Sequence, residues 1–484
     1  MRGFLTLEAL LAMAIMLTTL SAVLLSTFGN ASLLSDSART LEARSLASAL
    51  LAEEEARAED DFNLVNPIAS VTSGGYTSST SVELLPDYLT KHVSAVASWV
   101  DEIGRTRSVT LTTLLTNYND TTGDTCSSAL AGDWAHPLAT SAQLGTTPLA
   151  AGDISHAKLY AVASTTGAAA NPTFFAYDIS NPAAPTLLNS IDTMPSSPLG
   201  MSAVQAGGNY AYAAGLSACS KGTNCGQLQI VNVSDPAHLA VAGHLLLATS
   251  TAPFAKDSGG NPTPANTLFY KDGIAYLGLQ KTSGGDEFNA IDVRDPANPV
   301  WLGGYAVGRG VNSIAVRSGY AYLATDDNTT GGKAVLVLDV RSPTNIVAAG
   351  GSFTASGAGF AKALAAVGST LYLGRSYANG TQKEFYTLDA GDPTHALPAL
   401  GSADTASTTH QASIRGLRVR DYLAFLLTTT GLEWWDMSGT TITQAGAAAY
   451  PAASLGTGID CEGNTVYVLS ASGSTSYLTA LVAY

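Results

Sequence analysis

From residue 133 to its end the 484-residue chain repeats one pattern seven times, and a repeat of that length leaves few folds open. Two kinds of segment alternate. The first is a short aromatic strand: KLYAVAS around Tyr160, YAYAAG around Tyr212, IAYLGL around Tyr276, YAYLAT around Tyr322, TLYLGR around Tyr372, YLAFLLT around Phe425 and TVYVLS around Tyr467. The second is a strand that ends in a polar residue and runs into a turn, most often through proline: FFAYDISNPAAP, LQIVNVSDPAHL, FNAIDVRDPANP, VLVLDVRSPTNI, FYTLDAGDPTHA and LEWWDMSGTTI, with YLTALVAY in the seventh slot. Successive anchors are 52, 64, 46, 50, 53 and 42 residues apart, the length of a four-stranded propeller blade with loop insertions.

Asp178, Asn232, Asp292, Asp339, Asp389 and Asp436 hold one column of the second segment. A carboxylate or amide just ahead of a proline turn is a cap for the turn's backbone N–H groups, so the column is read as structural and not catalytic. The last repeat ends without an outer strand, while PLATSAQLG at 137–145 reads as an outer strand with no blade before it. Joining the two closes the ring and removes the exposed edges of its first and last sheets. These segments resemble the LVIVD repeat of secreted and surface β-propellers over roughly residues 133–484.

The 38 acidic against 23 basic residues give a formal charge of −15, which excludes a nucleic-acid backbone as partner. Four cysteines are present. In an exported chain an even count suggests disulfides, and Cys219 and Cys225 lie in one short loop, CSKGTNC, where a small ring closes easily. By elimination Cys126 pairs with Cys461, within the closing blade; free thiols are the other reading, and the connectivity stays open.

The N-terminus carries a different signal. Residues 9 to 35 contain no charged side chain, an apolar length sufficient for a bilayer, with Arg2 on its cytoplasmic side. Glu8 lies at the start of this run, where a carboxylate needs a reason. The string Gly3-Phe4-Leu5-Thr6-Leu7-Glu8 resembles the prepilin cleavage motif of type IV pilins and pseudopilins. That resemblance implies cleavage between Gly3 and Phe4 by prepilin peptidase and N-methylation of Phe4. It also implies insertion in the cytoplasmic membrane as prepilin, then assembly with other pilin subunits through Glu8 and a neighbour's amine. Beyond the apolar run the absence of proline and the spacing of Leu34, Leu41, Leu46 and Leu50 predict one helix over 4–61, with a membrane-spanning first half. HVSAVASWVDEIGRTRSVTLTTLLTNY alternates on both sides of a turn signal and predicts a hairpin within a small sheet at 62–118. The expected fold class is therefore a pilin-like α+β module, a leader at 1–3 included, joined by a linker at 119–132 to an all-β seven-bladed propeller at 133–484.

No GxSxG, HExxH, phosphate-binding loop or EF-hand spacing occurs, so no catalytic residue, metal site or cofactor is assigned. Asp326, Asp327 and Asn328 are oxygen-rich but stand in a glycine turn. Two segments break the repeat and are the better candidates for recognition: the insertion at 249–269 and the Cys219–Cys225 loop. The reading that follows is a low-abundance filament subunit, not an enzyme, that displays a propeller on the cell surface to an unknown extracellular ligand. A major subunit decorated by propellers and a propeller-based hydrolase or lyase are the alternatives.

Overall fold

The structure, a computed structural model, describes residues 4–60, 65, 67–84, 90–101, 103–116, 130, 132–164, 172–193, 200–216, 226–247, 256–258, 260–327, 332–355, 359–376, 383–405, 412–439 and 441–483. The chain divides into two compact units, Met1–Asn117 and Tyr118–Tyr484.

In the first unit α1 (Phe4–Asp60) is a continuous helix. Beside it stands an antiparallel sheet of β1 (Val71–Ser73), β2 (Tyr76–Leu84), β3 (Thr90–Val100) and β4 (Thr106–Thr116), in that order. Ala43 and Ala47, one helical turn apart, are buried against Tyr76, Ala95, Ala97 and Trp99. Their small side chains let the helix lie close to the sheet. Glu54 continues the same stripe; its buried carboxylate accepts from Thr80 Oγ1 at 3.4 Å and pairs with Arg57 at 3.4 Å. The turn between β3 and β4 is held by Asp101, whose Oδ1 accepts the amides of Ile103 (3.0 Å) and Arg105 (2.8 Å).

The expected fold class needs correction. The described chain is almost all β, with eight four-stranded sheets, and a pilin-like α+β module is not assigned to it. Among the described residues no helix is long and apolar enough to cross a membrane, so the expected membrane-spanning first half finds no support there. The physical reason lies in the part of α1 that packs: it is an alanine stripe on a sheet, flanked by Arg39, Glu42, Glu53 and Arg57. Of the expected span, Met13, Met16, Leu17 and Leu20 are exposed, and the side chains of residues 9–12, 14, 15 and 22–35 lie outside the described ones.

In the second unit seven antiparallel sheets, each of four strands, form a ring. Their innermost strands are Leu149–Ser155, Met201–Gly207, Ala265–Lys271, Val311–Arg317, Ala361–Val367, Ile414–Arg420 and Leu455–Glu462. Each of these touches the innermost strand on either side, and the last touches the first. We number the blades one to seven in that order. The second strand of every blade carries an aromatic anchor and is apolar on both faces because a neighbouring blade covers each; Tyr320–Thr325 is buried throughout except at its first residue. The core is accordingly a series of layers between blades. Tyr160, Val162 and Phe174 of blade one, for example, pack on Met201, Ala211 and Val231 of blade two.

Blade seven is completed from the other end of the domain. β5 (Leu138–Gly145) pairs antiparallel with Thr475–Val482, from Leu138 opposite Val482 to Gly145 opposite Ser476. Three of the four strands thus come from the C-terminus and the outermost one from the start of the domain, so no blade keeps an open lateral edge toward its neighbour in the chain.

Candidate functional site

The up-and-down order of strands puts two kinds of connection on two opposite faces of the ring. On one face the first and second strands of every blade are joined by two residues, such as Ser318 and Gly319, with φ of +49° and +75°. The third and fourth strands of the first four blades are joined there by seven residues each. The other face carries the connections from second to third strand and from blade to blade, whose length varies from two residues (429–430) to nineteen (246–264). One face is uniform; the other is where the blades differ.

On the uniform face the polar column does one job six times. An Oδ1 of the column accepts the amide two residues on: Asp178 from Ser180 (2.9 Å), Asn232 from Ser234 (3.0 Å), Asp292 from Arg294 (3.0 Å), Asp339 from Arg341 (3.1 Å), Asp389 from Gly391 (2.9 Å) and Asp436 from Ser438 (2.7 Å). The hydrogen bonds from Ser180 and Lys158 hold the Asp178 carboxyl down at about 2. A second set, three residues later, was not singled out in the sequence. Asp235, Asp295 and Asp392 each cap an amide two residues on and also bind the side chain at the third, His238 (2.8 Å), Asn298 (2.9 Å) or His395 (2.7 Å).

Asp133 and His136 repeat that motif just ahead of β5, with the amide of Ala135 at 2.9 Å and the His136 ring at 3.1 Å. The closing strand therefore enters with the same turn as an ordinary outer strand. Trp134 stands where five of the repeats have proline. It is buried between blades six and seven, edge-on to Phe425 at 5.1 Å, and its carbonyl accepts the Trp434 indole N–H at 2.8 Å. Trp435, the next residue along, faces the opposite layer, and its indole donates to Glu433 at 3.1 Å.

Cys461 is disulfide-bonded. Cys126, Cys219 and Cys225 lie outside the described residues, as do Gly3 and Asn328. Phe4 and Glu8 fall in α1, with their side chains outside the described ones.

The variable face rests on buried polar groups that clasp its connections. Glu287 Oε1 accepts Thr282 N (3.0 Å) and Thr282 Oγ1 (2.7 Å), and its Oε2 accepts Gly308 N (2.8 Å), tying together both connections of blade three. Gln227 holds the amide of Leu247 (3.0 Å), Glu384 that of Thr405 (3.3 Å) and Thr173 that of Thr193 (3.0 Å). Arg375 is buried beneath the same face, giving Nη2 to Gly359 O at 2.8 Å and lying 5.9 Å over the Tyr386 ring. Burial lowers its pKa.

Of the two segments singled out in the sequence, the Cys219–Cys225 loop lies outside the described residues and the insertion leads into the inner strand of blade three from this face. Of the insertion, residues 256–258 and 260–269 are described, and Lys256, Asp257, Ser258 and Gly260 line a hollow of about 340 Å³ with Ser283 to Gly285. Its rim is built by Ser283, whose amide (2.9 Å) and hydroxyl (3.1 Å) both donate to Lys256 O. Asp326 accepts the amide of Gly310 (2.9 Å) in the preceding connection, and Asp327 accepts that of Lys333 (3.3 Å) in its own turn and pairs with Arg309 at 3.6 Å. Among the described residues no group of three or more His, Cys, Asp or Glu is placed to hold a metal.

The inner strands add a cluster that the sequence reading missed. Asp460 Oδ2 of blade seven accepts the amide of Ile154 in blade one (2.6 Å), and Asp153 Oδ2 of blade one accepts that of Ala206 in blade two (2.8 Å). Gln205 of blade two passes the pattern to Tyr270 of blade three (2.7 Å). Arg418 of blade six reaches Asp460 at 3.3 Å. Burial, and the Asp460 carboxylate beside it, push the Asp153 carboxyl well above the usual range. Both oxygens that face a neighbouring blade are used as clasps, so the pair binds blade to blade across the closure.

The LVIVD repeat family matches residues 174–193, 201–246 and 308–350. The propeller contains LVIVD repeats. The matched stretches cover the outer half of blade one, the whole of blade two and nearly the whole of blade four, and each spans an Asx-capped turn of the uniform face. No curated protein matches the chain. Among solved structures it is similar to the extracellular domain of a hybrid two component system from B. thetaiotaomicron, at 10% identity and a TM-score of 0.46, over 72% of this chain. The chain spans 40% of the length of that protein. Outside the LVIVD stretches, blades five to seven keep the same strand order with less of the repeat's sequence.

Proposed function

We propose that this chain is a surface-displayed binding protein whose propeller recognises an extracellular ligand through its variable face, without turnover. The observation that carries this reading is the asymmetry of the connections. Every blade keeps a two-residue turn on one face, whereas the other face ranges from two to nineteen residues on a scaffold whose blades are clasped to one another. Variable loops on a rigid frame are the usual place for recognition.

Display is supported by the sequence Gly3-Phe4-Leu5-Thr6-Leu7-Glu8 alone. On this reading prepilin peptidase cuts before Phe4, and α1 joins neighbouring filament subunits with Glu8 meeting the new amine. N-terminal mass analysis of protein from sheared surface filaments is expected to find Phe4 first, methylated. An intact Met1 in assembled material would overturn the display part of the proposal.

Recognition is tested with the full chain on arrayed glycans and on whole cells. Saturable binding that survives chelation of divalent ions, with no product formed from the bound glycans, is expected. A reproducible hydrolytic or eliminative activity would replace the binding reading by the enzymatic one.

A further inference from the structure

Each of the seven inner strands carries a β-bulge at the same place. The register to the second strand skips Ala150, Ser202, Asn266, Asn312, Lys362 and Arg415, the second position of the inner strand in blades one to six, and Thr457, the third position in blade seven. A bulge re-aims the side chain it leaves out of the ladder. The effect is visible in burial: the residues just before the skipped ones, from Leu149 to Gly456, are all buried, and none of the seven skipped residues is. They ring the inner end of the variable face. Ser202 Oγ reaches Ala265 O of the next blade at 2.6 Å, Asn312 Nδ2 reaches Ala361 O at 2.8 Å, and Lys362 Nζ turns back to Asn312 Oδ1 at 3.4 Å. These side chains run along the ring from blade to blade.

The chemistry of this ring is unlike that of the chain around it. In a protein of net charge −15, its charged members are two cations on adjacent blades, Lys362 and Arg415, joined by two amides and two hydroxyls, with no carboxylate. The acids of the inner strands stand further toward the uniform face, Asp153 and Asp460 by three positions and Glu462 by five. Asp326 lies within electrostatic reach of Lys362, which burial and Arg415 both disfavour as an ammonium. Among the described residues neither the partly buried Lys362 nor the exposed Arg415 beside it forms a salt bridge with an acid, and two such neighbouring cations call for an outside anion. The amides of Asn266 and Asn312 and the hydroxyls of Ser202 and Thr457 offer both donors and acceptors, as a polyhydroxyl ligand requires.

We propose that the bulge ring binds a carboxylate-bearing saccharide, a uronic-acid unit whose carboxylate meets Arg415 and Lys362 and whose hydroxyls meet the amides and hydroxyls of the neighbouring blades. This rests on the binding reading above and names the ligand class for the centre of its variable face.

The test is calorimetric titration of the full chain with digalacturonate, galactobiose and inorganic phosphate. Digalacturonate is expected to bind at least about tenfold more tightly than either other probe, and Arg415→Gln to weaken it by about tenfold or more, the loss of one charge-assisted contact. Lys362→Met should weaken it similarly. Arg415 is exposed, so its variant should keep the wild-type melting midpoint and decides the matter even if Lys362→Met unfolds. No binding of digalacturonate, equal binding of galactobiose or phosphate, or undiminished binding by Arg415→Gln would each overturn the proposal. Whole-cell binding by Arg415→Gln, measured alongside, separates the two failures: retained cell binding with no uronate binding sinks this ligand class and leaves the binding reading standing.

Discussion

The indole N–H of Trp434 donates to the carbonyl of Trp134 across 2.8 Å, although 300 residues separate the two in the chain. Trp134 belongs to the turn that leads into β5, and Trp434 to the third strand of blade six, so this hydrogen bond seats the closing segment on a blade it does not belong to. Truncating Trp134 to alanine removes a buried aromatic and its edge contact with Phe425. The expected cost is about 3–5 kcal/mol, measured by urea unfolding of the full chain. Trp434→Phe, which keeps the ring and loses the donor, should cost only about 1 kcal/mol. Equal effects would mean that the hydrogen bond, and not the packing, does the seating.

A pH dependence follows from the inner clasps. Asp153 has its pKa raised, chiefly by burial and then by Asp460, so the stability it contributes is complete below the ordinary carboxylate range and is lost as pH rises through the raised value. Asp178, held at about 2, works in the opposite sense: its contribution is present above the ordinary range and is lost only in strong acid. Between mildly acidic and alkaline pH the fall in melting midpoint should therefore belong to the Asp153 pair. Asp153→Asn keeps an oxygen for the amide of Ala206 and carries no charge, so its midpoint should be flatter with pH than that of the wild type. A parallel decline in both proteins would remove Asp153 as the cause.

Gly243 in the outer strand of blade two lies against the turn of blade three, where a Cβ would stand 2.1 Å from the carbonyl of Pro296. The backbone cannot yield there without moving a whole turn. Gly243→Ala is expected to destabilise the chain by about 1–3 kcal/mol in chemical unfolding, and an unchanged midpoint would show that the blades are less tightly nested than their geometry implies.

The disulfide at Cys461 ends on the inner strand of blade seven, the blade that β5 completes. Peptide mapping without reduction should recover Cys461 linked to Cys126, and reduction should lower stability by about 2–5 kcal/mol. A Cys461 peptide linked to Cys219 or Cys225 would contradict the pairing expected from the sequence.

Much of the ring was legible because its signals are local. The strands around Tyr160 to Tyr467 are apolar on both faces, and each Asp or Asn of the polar column caps the turn that immediately follows it, so type and position show in a few consecutive residues. What the sequence hid is what distant residues share. Asp153 and Asp460 meet only because the ring closes, and no period in the chain sets them side by side. The bulge ring is hidden for another reason: a skipped residue leaves no mark in composition, and Ala, Ser, Asn, Lys, Arg and Thr share no property until the register aligns them. Asp133 and Trp134 escaped notice because tryptophan replaces the proline that marks the other turns. At the N-terminus the pilin resemblance rested chiefly on Gly3 to Glu8, whose side chains lie outside the described ones, and in part on the strands around Trp99 and Arg107, and the fold class inferred from it did not hold.

Every role given to the variable face depends on a ring closed by Leu138–Gly145. Hydrogen exchange of the full chain, followed by mass spectrometry, tests that closure most directly. Protection of the β5 amides within the same range as those of Thr475–Val482, with both segments released together in denaturant, is the expected result. Exchange of β5 within seconds, while Thr475–Val482 stays protected, would contradict it.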